Sequence, residues 1–258
     1  MIPKIIHYIW LGKSEMPIEV RDCIKSWQNN MPDYELMFWD DDAISEFRNP
    51  FIIEALEQKK YAFATDVIRL YALQKYGGIY LDTDVKVLKS FDDFLHHHAF
   101  IGRESCMQIS FRTTSYHLTS YCLGAEKNNE YINKCINYYK GRHFVLSNED
   151  LPNHLKYDMQ NASYVFSEIA TLFGYNPSTL APDFQNCYEN VLTVFPSYYF
   201  AEGIESDKAY CKHLSLGSWR DFPQDDIIYD LKYKIEWRIK SCMESFLNRL
   251  GYIMLKKN

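Results

Sequence analysis

No window of the sequence reaches the roughly 18 consecutive apolar residues of a bilayer-crossing helix, so no membrane span is expected. Residues 1–10 are apolar over too short a distance for a secretory signal, and they lack its basic leading segment and small-residue cleavage site. They are expected to form a strand. No C-x-x-C pair occurs among the seven cysteines, Cys23, Cys106, Cys122, Cys135, Cys187, Cys211 and Cys242. An odd, scattered set argues against a zinc site or disulfide framework and for reduced thiols in a cytoplasmic protein. The main body has no basic stripe and the formal net charge is −6, which excludes nucleic-acid binding as the main business of the chain. Neither an internal repeat nor a low-complexity linker is present.

The chain has 258 residues, 47% apolar and 24% charged, enough for one sizeable domain with a C-terminal appendage. Aromatic residues reach 16%, with 21 Tyr, a content that suits stacking on sugars and bases as well as core packing. Strand-like and helix-like segments alternate in the first half, the pattern of an α/β fold with a mostly parallel sheet. Residues 5–11 read as a strand ended by Gly12, 17–30 as a helix with Val20, Cys23, Ile24 and Trp27 at helical spacing, and 34–39 as a second strand. The cluster Asp40-Asp41-Asp42 offers a cap for a following short helix. Residues 61–76 make the clearest helix, stopped by Gly77-Gly78. Strands follow at 79–81, 85–88, 100–102 and 191–195, with helices at 130–140 and 163–173; His96-His97-His98 reads as a loop. Beyond residue 231 Lys and Arg outnumber Glu, and Ile235, Ile239, Met243, Phe246, Leu247 and Leu250 share one helix side.

Asp82-Thr83-Asp84 directly follows the buried strand 79–81, so both carboxylates can turn to the rim of the sheet, where open α/β folds bind ligands. A D-x-D triplet alone is a common acidic turn. Here the preceding helix adds Thr65, Asp66 and Arg69, the last two an i,i+3 pair, which is either a polar patch facing the triplet or an ordinary ion pair on a solvated helix face. Paired carboxylates at a rim suit a hard divalent cation, and such a cation suits a leaving diphosphate whose negative charge grows as its bond breaks.

These stretches resemble the glycosyltransferases with a DXD sugar-binding motif, family 32, whose relatives include initiating mannosyltransferases, capsule and lipopolysaccharide transferases and, more distantly, the clostridial toxin glucosyltransferases. The resemblance runs through residues 2–12, then Trp27 and 33–40, most strongly 64–70 with 76–85, and more weakly 123–127 and His213 with Gly217-Ser218-Trp219. It implies a GT-A type Rossmann-like mixed sheet flanked by helices over 1–222; beyond it, the basic composition and one-sided apolar pattern make 223–258 a C-terminal basic amphipathic helical extension. It implies Mn²⁺ or Mg²⁺ and retention of anomeric configuration. Trp10 would stack on the base, and Thr65, Asp66 and Arg69 would meet the donor sugar and diphosphate. Tyr80 would lie beside the donor, and Asp82 would touch donor and metal. Asp84 and His213 would ligate the metal, with Ser218 and Trp219 closing over the diphosphate. Where relatives carry an Asn shortly before the 123–125 strand, this chain has Ser120 and Tyr121, and the Thr65 position is usually Ser.

A nucleophilic carboxylate for double displacement is not singled out, which favours front-face transfer without a dedicated protein base. The expected donor is a nucleotide sugar, UDP-galactose or UDP-glucose ahead of GDP-mannose, and the expected acceptor a glycan or lipid-linked glycan in cell-surface polysaccharide synthesis. The C-terminal helix would allow peripheral contact with an anionic membrane at its cytoplasmic face, or would pack on the domain or a partner. A metal-dependent nucleotide-sugar hydrolase and a non-catalytic nucleotide-sugar-binding module remain as alternatives.

Overall fold

The structure is a computed structural model that describes residues 1–45, 47–109, 114–178, 184–187, 191–200 and 206–217, without the side chains of 105–109, 114, 115 and 154. Ser218, Trp219 and the expected helix of 223–258 lie outside the described residues.

Strands β1 (Ile5–Ile9), β2 (Glu35–Trp39), β3 (Gly78–Leu81), β4 (Val85–Val87), β5 (Ala99–Ile109), β6 (Thr114–Ala125), β7 (Gln185–Cys187), β8 (Leu192–Phe195) and β9 (Cys211–His213) alternate with helices. Among the described residues the α-helices are α1 (Ile18–Asn30), α2 (Pro50–Glu57), α3 (Tyr61–Tyr76), α4 (Glu130–Tyr139), α5 (Asn153–Lys156) and α6 (Ala162–Thr171). Seven strands form one sheet in the order β2-β1-β3-β6-β5-β8-β7, and β4 pairs with β9 in a separate ribbon. The pairs β1–β2, β1–β3 and β5–β8 are parallel. Strand β6 runs antiparallel to both β3 and β5, and β7 antiparallel to β8. The sheet is therefore mixed, as the family resemblance implies, and not mostly parallel as the segment pattern alone suggested. The difference comes from the long β5–β6 hairpin, inserted where a helical crossover would have kept the strands parallel. Among the described residues no helix is long and apolar enough to cross a membrane.

Both faces of the sheet are covered, which is why β3 is buried at all four positions. Side chains alternate across it. Tyr80, Leu123, Ile101 and Leu118 pack with α2, α3, α4 and α6, while Ile6, Ile79, Leu81 and Cys122 pack with Trp27 of α1 and the rings of Phe91, Phe94, Phe100 and Phe200. Two glycines make the α3-to-β3 junction. Gly77 and Gly78 have φ of 68° and 109°, and a Cβ on Gly78 would stand 2.7 Å from the Ile5 carbonyl oxygen. Helix α2 starts from Asn49, whose side chain accepts from the Phe51 N–H with Pro50 in the first turn. Asp40 does not cap a helix: its Oδ1 accepts from the Ala43 N–H at 2.9 Å in a turn.

His7 ties the sheet to the end of α3. It is fully buried, its Nδ1 faces Trp39 Nε1 at 3.2 Å, and its Nε2 lies 2.7 Å from the Gly77 carbonyl. Those partners assign the neutral ring, with Nδ1 accepting and Nε2–H donating. Burial lowers its pKa to about 4, and burial lowers His97 and His117 to about 4 as well. Between pH 6.5 and 4 the unfolded chain therefore binds more protons at these rings than the folded one, so stability falls as pH falls through that window. His7 alone should cost about 3 kcal/mol by pH 4. Asp66 works the other way, because its carboxyl is raised to about 7 and the folded state takes up a proton as pH falls. Urea unfolding of the Asp66→Asn variant, followed from pH 7 to 4, should thus show a steeper loss than wild type; equal slopes would refute the assignment.

Candidate active site

The rim at the C-terminal ends of β1, β2 and β3 collects the residues singled out in the sequence. Strand β3 ends at Leu81, the Asp82 N–H donates to the Tyr121 carbonyl at 2.9 Å, and a tight turn is closed by the Val85 N–H on the Asp82 carbonyl at 3.0 Å. Helix α1 holds the outgoing strand β4, since Trp27 Nε1 donates to the Val85 carbonyl at 2.6 Å and Ser26 Oγ accepts from the Val87 N–H at 2.9 Å. The β4–β9 register sets Val85 opposite His213, so the imidazole arrives beside Asp84 from more than 120 residues further along the chain.

Asp82, Asp84 and His213 offer ligand atoms that lie within 4.8 Å of one another. His213 Nε2 stands 3.1 Å from Asp84 Oδ1, and the Leu216 N–H donates to Asp84 Oδ2 at 3.0 Å. The His213 ring stacks on Tyr121, with centroids 4.3 Å apart and planes at 15°, and Tyr121 Oη is anchored on the Phe200 carbonyl at 2.7 Å. Burial would raise the Asp84 carboxyl, but His213 and the Leu216 N–H outweigh it and hold the group below its ordinary range. Two carboxylate oxygens and one imidazole nitrogen, all half-buried, are a donor set that fits a divalent cation.

A second constellation sits on the α3 side. Arg69 is 3% exposed, and its cation is shared among fixed partners. Its Nη2 donates to Asp66 Oδ1 at 2.8 Å, Nη1 to the Ser120 carbonyl at 2.5 Å and Nε to the Thr65 carbonyl at 3.1 Å; Nη1 also lies 3.4 Å from Asp82 Oδ1. The Tyr80 ring lies 4.5 Å below the guanidinium, and Tyr80 Oη donates to Asp82 Oδ1 at 2.6 Å. Burial alone would lower the guanidinium pKa; Tyr80, Asp82 and Asp66 more than offset it and keep the group charged. Burial, joined by the charge of Asp82, pushes the Asp66 carboxyl up to about 7 against the pull of Arg69. The side chain of Asp66 remains 15% exposed, so it still faces the rim.

The structure thus brings Thr65, Asp66, Arg69, Tyr80, Asp82, Asp84 and His213 into one continuous set, with Asp82 as the shared member. Thr65 Oγ1 donates to the Ala62 carbonyl at 2.7 Å and stands 3.4 Å from Arg69 Nη2. Trp10 lies just past β1 at the same rim, half-buried, with its Nε1–H donated to the Ser14 carbonyl at 2.8 Å. The three-histidine run is a turn, with His98 Nδ1 2.6 Å from Glu126 Oε1. Two contacts at Ser120-Tyr121 were not legible in the sequence, one from the backbone and one from a side chain. The Ser120 carbonyl receives Arg69, and Tyr121 supplies the ring behind His213.

Residues 17–101 match the model of the glycosyltransferase sugar-binding region containing the DXD motif. It is similar to inositol phosphoceramide mannosyltransferase 3 of Schizosaccharomyces pombe, 38% identical over 113 residues that cover 42% of this chain and 32% of that protein. It is also similar to an uncharacterized glycosyltransferase, L373, of Acanthamoeba polyphaga mimivirus, 40% identical over 101 residues that cover 37% of this chain and 40% of that one. The matched stretches span between 32% and 40% of those relatives. A solved structure, the PaToxG glycosyltransferase, aligns over 66% of this chain and 69% of its own with a TM-score of 0.45 and 22% identity.

Proposed function

We propose that the protein is a metal-dependent retaining glycosyltransferase that moves a hexose from a nucleotide diphosphate sugar to a glycan or lipid-linked acceptor in cell-surface polysaccharide synthesis. The observation that carries this reading is the cluster of Asp82, Asp84 and His213 ligand atoms within 4.8 Å, joined through Asp82 to the Asp66–Arg69 pair. Asp84, His213 and Asp82 would hold Mn²⁺ or Mg²⁺, which when bound would supply positive charge where the diphosphate departs. Asp66 accepts from hydroxyls of the donor sugar. Arg69, with its N–H groups already engaged, acts by fixing the two carboxylates on either side of it. Trp10 and Tyr80 flank the donor. In the transfer itself the acceptor hydroxyl oxygen bonds to the anomeric carbon as the bond to the phosphate oxygen breaks, and the hydroxyl proton passes to that phosphate oxygen on the same face.

The name of the fission-yeast relative adds a mannosyl donor to the UDP-hexoses that the sequence favours. Thermal-shift measurements with UDP-glucose, UDP-galactose and GDP-mannose, with and without Mn²⁺, test the reading. A ligand at a hundred times its dissociation constant adds about 2.7 kcal/mol, a rise in Tm of roughly 5–10 °C for a chain of this size. The expected result is such a rise for one donor, only with Mn²⁺. No rise for any of them would overturn the proposal. Metal-dependent release of free sugar that ignores added acceptor would favour the hydrolase.

A further inference from the structure

Just past β9 the chain turns back on Asp84. The Leu214 N–H donates to the Asp84 carbonyl and the Leu216 N–H to Asp84 Oδ2, each at 3.0 Å. Ser215, between them, has φ of 52°, in the left-handed region that a side chain disfavours. Glycine is the ordinary occupant of such a position, and Gly217, with φ of 66°, is one two residues further on. A serine held in this conformation, where glycine would sit at less cost, points to a use for its side chain. Its Oγ stands 3.3 Å from His213 Nδ1, the ring nitrogen other than the one that faces Asp84.

We infer that Ser215 is a positioning residue for the metal centre, its hydroxyl aiming His213 Nε2 at the cation. Stacking on Tyr121 fixes the plane of the His213 ring but leaves the ring free to turn within that plane. Two in-plane contacts set the remaining angle, Asp84 Oδ1 on Nε2 at 3.1 Å and Ser215 Oγ on Nδ1. With a cation held among Asp82, Asp84 and His213, Nε2 faces the cation, and Ser215 remains as an in-plane anchor at Nδ1. A hydroxyl suits that task because it accepts as well as donates, so it keeps its bond whichever ring nitrogen carries the proton. A partner on the second nitrogen of a metal-ligating histidine orients the ring, and its loss weakens metal binding by about 10–100-fold.

This rests on the metal-dependent reading of the site, and the experiment separates the two. Mn²⁺ binding to the full chain, read from the EPR signal of free Mn²⁺ with and without UDP or GDP, compares wild type with two variants. Ser215→Gly relaxes the backbone and removes the hydroxyl; Ser215→Thr keeps the hydroxyl and strains the backbone further. Without metal, Ser215→Gly should melt no lower than wild type, yet it should bind Mn²⁺ about tenfold more weakly. Ser215→Thr should melt roughly 2–4 °C lower, yet its Mn²⁺ binding should stay close to wild type. A merely structural role would make affinity follow stability in both variants. Spin-echo spectra of bound Mn²⁺ should show histidine nitrogen coupling in wild type and Ser215→Thr, and weaker coupling in Ser215→Gly. Equal Mn²⁺ affinity in Ser215→Gly and wild type, a loss in Ser215→Thr as large as in Ser215→Gly, or a histidine coupling that is absent from wild type or unchanged by the glycine would each overturn the inference. Wild type that takes up no Mn²⁺ would instead overturn the metal-dependent reading on which it stands.

Discussion

Replacing Asp84 with Asn should reduce transfer by about 10³-fold or more, because metal-borne charge at a leaving diphosphate supplies several kcal/mol and each 1.36 kcal/mol is a factor of ten. Asp84 is the centre of its cluster. One oxygen lies 3.1 Å from His213 Nε2, the other receives the Leu216 N–H at 3.0 Å, and its backbone carbonyl accepts from the Leu214 N–H at 3.0 Å. The amide keeps the shape and one oxygen for the Leu216 N–H but removes the charge, so the fold should survive. Its Tm without metal should stay within a few degrees of wild type, while the Mn²⁺-dependent shift with nucleotide sugar disappears. A variant that retains both the metal-dependent shift and more than a tenth of the activity would show that the cation is held elsewhere. Excess Mn²⁺ should rescue little, since the loss is of a ligand and not only of affinity.

The parts of this site that could be read in the sequence are those whose meaning is local. The 61–76 helix declares itself by a 3.6-residue period and a glycine pair, and the strand after it by an unbroken apolar run, because β3 is covered on both faces. Asp66 and Arg69 share a helix face by spacing alone, and the carboxylates of Asp82 and Asp84 sit at a strand end by adjacency. Other parts are tertiary. The β5–β6 hairpin was visible only in fragments, since register shifts between Ile101 and Arg103 and between Arg103 and Met107 break the alternation that marks a strand. Strand β9 has three residues, too few for any period, and its partner β4 lies far away in sequence. Asn49-Pro50 is the local start signal of α2, and the acidic run at 40–42 competes with it as a cap in the sequence alone. Tyr121 is one tyrosine among 21, and only its neighbour across the fold, His213, singles it out.

Arg69→Leu should lose about 3–5 kcal/mol of stability, the cost of removing one partner from a buried ion pair, and with it a Tm fall of roughly 6–20 °C for a chain of this size. The leucine fills much of the volume, so the penalty is electrostatic. Asp66, 15% exposed at its side chain, loses its cation; Asp82 loses a guanidinium at 3.4 Å; and the Ser120 carbonyl loses its donor. The penalty should depend on pH with a definite sign. The Asp66 carboxyl is already raised to about 7 with Arg69 present, and without that charge it rises further, so the folded variant takes up a proton that the unfolded chain releases. Its deficit against wild type should therefore be larger at pH 8 than at pH 5.5. Adding Asp66→Leu should recover part of the loss at pH 8 and little at pH 5.5, because the second change removes the charge that the first left uncompensated. Arg69→Lys keeps the charge but not the planar fork that reaches Asp66, Ser120 and Thr65 together, and should fall between the two. A deficit independent of pH, or no recovery in the double variant at pH 8, would mean that Arg69 stabilises the rim by packing and not by holding the two carboxylates apart and in place.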